Sequence, residues 1–201
     1  MWTHLRALLF PRACIGCDRD DLLLCGECAR AAGDSRRVTL AGLEAFSCRP
    51  YAGALKAAIA EFKSGRRGFA LDLAALASPY VDETVTLVPI PTTRRRIATR
   101  GFDQTALVAR ILARTRRIGV SNVLARAKGA AQQGRSRRER LAAIGRFRVR
   151  RTAGPHDPEL VLFDDVLTTG ATLVDAAHTL ETAGFVVAGA LTLAWAPDFT
   201  S

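Results

Sequence analysis

The 201 residues hold no apolar stretch long enough to cross a bilayer. The longest, Phe185–Ala196, has twelve residues, against the ~20 that a spanning helix needs. Near the N-terminus only Leu8-Leu9-Phe10 clusters apolar side chains, which is no secretory h-region. The expectation is therefore a cytoplasmic protein with no transmembrane segment. The three histidines, His4, His156 and His178, are scattered and share no metal spacing. No side chain stands out as a dedicated general base. Positive charge is also missing from one whole region, since residues 160–201 contain no Lys or Arg.

What the chain does have is a basic middle. Residues 85–159 hold 18 Lys/Arg against 4 Asp/Glu, while the remainder holds 11 against 15. Arginine makes up 26 of the 29 basic residues, so codon bias explains part of the excess. Bias does not explain a change of sign along the chain. A basic segment facing an acidic one points to a polyanionic ligand, a nucleic acid, or both. Length and an apolar content of 49% suit one medium α/β domain with a small appendage.

The organising stretch is Leu160 to Thr172, Leu-Val-Leu-Phe-Asp-Asp-Val-Leu-Thr-Thr-Gly-Ala-Thr. The uncharged run Leu160–Phe163 reads as a strand buried on both faces of a parallel sheet. It stops at Asp164 and Asp165. The turn Thr168-Thr169-Gly170-Ala171-Thr172 follows, then a helix with Leu173, Val174, Ala177 and Leu180 on one face and Gly184 at its end. Backbone N–H groups, threonine hydroxyls and a helix start together make a phosphate cradle. Two adjacent carboxylates repel phosphate, so they call for hydroxyl donors or a divalent cation. Ribose 5-phosphate satisfies both halves, with a phosphate at one end and a diol beside it.

Residues 1–13 read as a short amphipathic lead-in. Cys14-x-x-Cys17 and Cys25-x-x-Cys28 then form two knuckles, each offering two thiolates to one tetrahedral ion. Zinc is the usual occupant, and four thiolates would close the site, making it structural. Disulfides compete with this reading but suit neither a cytoplasmic setting nor the i, i+3 spacing. A redox Cys-x-x-Cys competes more weakly, because no strand and helix frame it. Cys48, in the apparent strand Ala45–Cys48, reads as a buried inert thiol. The division expected is a module at 1–42 and a main domain at 43–201.

Tyr51 to Lys63 reads as a turn and an amphipathic helix with Leu55, Ile59 and Phe62 inward, leaving Lys56 and Lys63 as solvated ends. A second helix spans about Phe69–Ala77. Thr86–Pro91 is a strand with a rigid proline exit. The cluster Arg94, Arg95, Arg96 and Arg100 follows on the sheet edge that carries the acids, which favours an anion site over an idle basic loop. A helix through Val108 and Leu112 comes next. From Arg126 the basic run with Lys128, Arg135, Arg137, Arg138 and Arg140 has no apolar face and reads as a mobile loop. Such a loop could close over a phosphate or clamp single-stranded nucleic acid, though it lacks stacking aromatics.

Leu160–Thr172 resembles the thirteen-residue signature of type I phosphoribosyltransferases, which bind phosphoribosyl pyrophosphate (PRPP). The whole order resembles the ComF family: the four-cysteine module, Tyr-x-Gly-x-Leu-Lys at 51–56, Val-Pro-Ile-Pro…Arg-Gly-Phe-x-Gln at 88–104, and the signature. The resemblance implies a type I phosphoribosyltransferase fold, a central mainly parallel sheet flanked by helices, with an N-terminal zinc-binding module. It also implies a role in competence, the uptake of transforming DNA. Asp164 and Asp165 would hold the ribose hydroxyls, directly or through Mg²⁺ and water, and would be the catalytic pair. Thr168, Thr169, Gly170, Ala171 and Thr172 would hold the 5′-phosphate, and Arg94–Arg96 with Arg100 would lie near pyrophosphate. Implied partners are PRPP or a related phosphorylated ribose, single-stranded DNA and a competence helicase. Two readings stand: a phosphoribosyltransferase with an unknown acceptor, and a non-catalytic factor that handles single-stranded DNA or senses PRPP. Two positions depart from the family pattern. Asp103 stands where Asn is common, and Leu141-Ala142-Ala143 replaces Arg-x-x-Asn.

Overall fold

The computed structural model describes residues 13–20, 22–127, 145–152, 154 and 158–199. The lead-in through residue 12, His4, His156, Lys128, Arg135, Arg137, Arg138, Arg140 and Leu141–Ala143 lie outside the described residues.

After the cysteine knuckles and a short helix, α1 (Gly26–Arg30), the chain enters the sheet at Arg36. β1 (Arg36–Leu40) and β2 (Leu43–Pro50) form an antiparallel hairpin. Its turn, Ala41-Gly42, has φ of 48° and 89°, the left-handed pair whose twist matches that of the strands. This hairpin spans residue 42, so the stretch before that position contributes a strand to the main sheet. Helices α2 (Gly53–Lys63) and α3 (Phe69–Ala77) form where the apolar spacing predicts them. β3 (Thr86–Pro89), α4 (Arg94–Arg100), α5 (Gln104–Arg116) and β4 (Gly119–Val120) follow. β5 (Leu124–Arg126) and β6 (Phe147–Val149) pair antiparallel in a separate two-stranded sheet. β7 (Leu160–Leu167), α6 (Ala171–Thr182) and β8 (Val187–Trp195) complete the fold.

The main sheet runs β1-β2-β8-β7-β3-β4, with every neighbouring pair parallel except β1 and β2. This is an α/β fold with a central, mainly parallel sheet, the arrangement expected of type I phosphoribosyltransferases. Side chains alternate across it. Phe163 and Leu191 face a core shared with Leu55, Ile59, Phe62, Leu73 and Leu112 of the helices on one side. Leu160, Leu162 and Ala190 face Leu173, Ala176, Ala177 and Leu180 of α6 on the other. Val174, expected on that inward face, is only half-buried, and Ala176 takes its place. Among the described residues no helix is long and apolar enough to cross a membrane.

Candidate functional site

The carboxyl ends of the parallel strands gather most of the expected ligand-binding residues. β7 runs past its apolar start and through both acids to Leu167, because β8 keeps pairing with it: Asp164 lies opposite Thr192, and Val166 opposite Ala194. The acids thus stand on a strand rather than at its end. Asp164 Oδ1 accepts the backbone N–H of Asp165 at 2.8 Å. Burial, with the neighbouring Asp165 charge, pushes the Asp164 carboxyl up to about 7, against the pull of Lys63 and Arg126.

The turn that follows has the shape its sequence requires. Gly170 adopts φ 72°, a left-handed conformation that a β-carbon would strain, and it is packed beneath the Leu40 side chain. Thr168 and Thr169 are exposed, and Ala171 and Thr172 are half-buried at the first turn of α6. Thr169 Oγ1 accepts the Ala171 N–H at 3.5 Å. Among the described residues, no backbone carbonyl takes the N–H groups of Thr168, Thr169, Gly170, Thr172 or Leu173. A turn of that kind offers donors to an anion.

Three residues at this edge escape a sequence reading. Lys63, the last residue of α2, places Nζ 2.8 Å from Asp165 Oδ2. Asp175 of α6 is buried and accepts the backbone N–H groups of Gly145 and Arg146, at 2.8 and 3.0 Å. Arg146 in turn donates through Nη1 to Thr172 Oγ1 at 3.3 Å. The one sequence signal was Asp175 itself, an acid on the inward face of an apolar helix. A lysine at a helix end carries no such mark.

Arg126 departs from the expected mobile loop. It belongs to β5 and is half-buried, with Nε donating to the Pro91 carbonyl at 2.9 Å and its guanidinium 4.8 Å from the Phe147 ring centre. The ladder to β6 and the aromatic cover hold it there. Burial lowers its guanidinium, Asp164 supports its charge, and Arg146, Arg96 and Asp175 act on it in the same neighbourhood.

Arg94, Arg95 and Arg96 form the first turn of α4 rather than a loop, capped by Thr93 Oγ1, which accepts the Arg96 N–H at 3.3 Å. All three are exposed. The segment after them is a built corner. Gly101 ends α4 at φ 77°, and Phe102 packs on Phe62 with ring centres 5.3 Å apart. Arg100 donates to Gln104 Oε1 at 2.7 Å. Asp103 uses both oxygens, accepting Ala106 N–H and Thr92 N–H at 3.1 Å each. Its charge therefore caps α5 and ties down the exit of β3. Ile90 N–H bonds the Phe163 carbonyl at 2.8 Å, which sets that exit beside the acids.

The cysteines form the second site. All four sulfurs of Cys14, Cys17, Cys25 and Cys28 lie within 4.8 Å of one another, and Cys17 and Cys25 are 3.8 Å apart. A tetrahedral ion with Zn–S bonds of about 2.3 Å needs sulfurs about 3.8 Å apart, so the cluster fits zinc. All are free thiols. Cys25 N–H points at Cys14 Sγ (3.3 Å) and Cys28 N–H at Cys25 Sγ (3.4 Å). Burial alone would raise the Cys14 thiol, but the N–H groups of Cys25, Gly16 and Cys17 outweigh it and bring it down to about 6. The Cys17 and Cys25 thiols hold Cys28 up at about 12. Burial pushes Cys48 up to about 12, which fits an inert thiol. Asp72 of α3 fastens the knot to the domain, its Oδ2 accepting Leu23 N–H and Leu24 N–H at 2.9 and 3.1 Å.

No family model matches the chain. Over 101 residues it is 35% identical to the competence protein ComFC of Bacillus subtilis (strain 168); the match covers 50% of this chain and 40% of that relative. Among solved structures it resembles an orotate phosphoribosyltransferase from Aeropyrum pernix. That likeness covers 83% of this chain and 77% of the other, at 18% identity and a TM-score of 0.38. The clustered cysteines at one end and the strand, turn and helix of 160–182 at the other are the features on which this chain resembles the ComF family.

Proposed function

We propose that this protein binds PRPP or a related phosphorylated ribose at the carboxyl edge of its sheet, as a cytoplasmic phosphoribosyltransferase-like protein serving competence. The observation that supports this most is the pairing of two acids on β7 with a donor-rich turn at the start of α6. The 5′-phosphate takes the Thr168–Thr172 N–H groups and hydroxyls, with Arg146 orienting Thr172. The ribose hydroxyls donate to Asp164 and Asp165. Pyrophosphate lies toward Arg94–Arg96, Arg100 and Arg126. In turnover an acceptor nucleophile forms a bond to the anomeric carbon as the bond to pyrophosphate breaks, its electron pair leaving on the pyrophosphate oxygen. The arginines stabilise that charge. Cys14, Cys17, Cys25 and Cys28 would hold zinc as thiolates and so close the N-terminal knot.

The acid pair as built does not fit magnesium, because Lys63 occupies one Asp165 oxygen and a backbone N–H occupies one of Asp164. Magnesium is thus left to the ligand's own phosphate oxygens.

Calorimetry with PRPP tests the reading. The wild type binds, and Thr169→Val with Asp165→Asn lowers affinity at least about tenfold, the worth of one charge-assisted hydrogen bond. Unchanged affinity in that double variant overturns it. The second reading, a non-catalytic factor that senses PRPP or grips single-stranded DNA, uses the same pocket. Binding without pyrophosphate release from any acceptor base selects it.

A further inference from the structure

Lys63 sits where a cation would be expected to assist the sugar. Its helix is anchored, since Leu55, Ile59 and Phe62 are buried in the core. Its ammonium and the Asp165 carboxylate are mostly enclosed, with side chains 29% and 22% exposed, and are 2.8 Å apart. The Tyr51 ring stands 6.0 Å from the same nitrogen. Arg126, fixed by Pro91 and Phe147, is a second cation, near enough for its charge and that of Asp164 to act on each other. Two anchored cations therefore flank two acids. A bare divalent ion entering here would have to displace an ammonium and sit beside a guanidinium. Like-charge repulsion at a partly enclosed site opposes that entry.

We propose that Lys63 takes the place of a divalent cation at the ribose acids. It neutralises Asp165 and holds it so that its second oxygen accepts a sugar hydroxyl. Recognition of the phosphorylated ribose is then independent of metal, and a metal requirement attaches only to ligands that bring a pyrophosphate. This rests on the phosphoribosyl reading above. Lys63 is a positioning and specificity residue: it acts on the sugar through Asp165.

The test uses the full zinc-loaded chain, in buffer freed of divalent ions before the protein is added. Ribose 5-phosphate is titrated with and without millimolar magnesium, into wild type, Lys63→Met and Lys63→Arg. Melting curves show that each variant is folded. The wild type should bind equally well in both buffers. Lys63→Met should lose at least about tenfold without magnesium and regain part of it with magnesium, while Lys63→Arg stays within about threefold of wild type. A wild type that needs magnesium for ribose 5-phosphate overturns the proposal, and so does a Lys63→Met that binds like wild type without it. If folded wild type binds neither ribose 5-phosphate nor PRPP in either buffer, the phosphoribosyl reading itself falls and takes this one with it.

Discussion

In the cysteine knot every ligand atom comes from the fifteen residues between Cys14 and Cys28, whereas the acid–threonine edge draws on Lys63, Arg96, Arg126, Arg146 and the 164–172 segment. The knot is specified locally, since two knuckle turns put four sulfurs close enough together to hold one ion. The edge is specified by the sheet, because parallel strands far apart in sequence all deliver their ends to one side. Damage should therefore differ in kind. A local site fails as a whole when one ligand goes. A distributed site loses one interaction at a time.

The sharpest break is Cys25→Ser. Zinc content by elemental analysis should fall from about one per chain to well below it. Structural zinc contributes as much as ~10–16 kcal/mol in small metal-folded peptides, so the knot should lose its structure. Leu24 and Ala29 belong to the main core, so the melting temperature of the whole chain should fall too. An unchanged melt would show that the knot is ornamental to the domain.

Asp175→Ala should act more modestly. It strips two backbone N–H groups of their acceptor, at roughly 1–3 kcal/mol each, and removes the hold on the backbone that places Arg146 by Thr172. Calorimetry should show weaker binding of inorganic phosphate with zinc content intact. If phosphate affinity holds while stability drops, Arg146 is scaffolding alone.

The smallest effect is a pH difference. The Asp164 carboxyl is raised from 3.8 to about 7 in the folded chain. Between those values the folded state holds more protons than the unfolded one. The contribution is full below 3.8 and is lost as pH rises through about 7. Asp164→Asn carries no such charge. Its stability relative to wild type should therefore rise across that window, by ~1–3 kcal/mol after allowing for solvent at a half-buried group, and level off above it. A difference that stays flat with pH breaks the assignment.

Much of this was legible in the residues, and the limits follow from range. The strand, acid pair, turn and helix at 160–182 are contiguous, so their order showed directly. Strand length did not, because ladder partners on β8 carry β7 beyond its apolar run. The arginines at 94–96 read as an anion cluster after the strand, with no element of their own, but the Thr93 cap and the Gly101 stop make them a short helix. Arg126 looked like part of the basic run until β6 paired with it. Lys63 resembled any solvated helix end, and only the approach of α2 to β7 distinguishes it.

The helix α2 joins the two sites. Gly16 of the first knuckle lies so close to Ala54 that a β-carbon there would come within 2.8 Å of the alanine's own. Nine residues beyond Ala54 the same helix, eleven residues in all, ends at Lys63. At about 1.5 Å per residue this helix is a stiff rod some 16 Å long, with the cysteine knot resting on its head and Asp165 gripped at its foot. If the edge binds ribose as proposed, a tilt imposed at the head reaches the foot, and stripping an ion from the knot should weaken that binding without anything touching the edge.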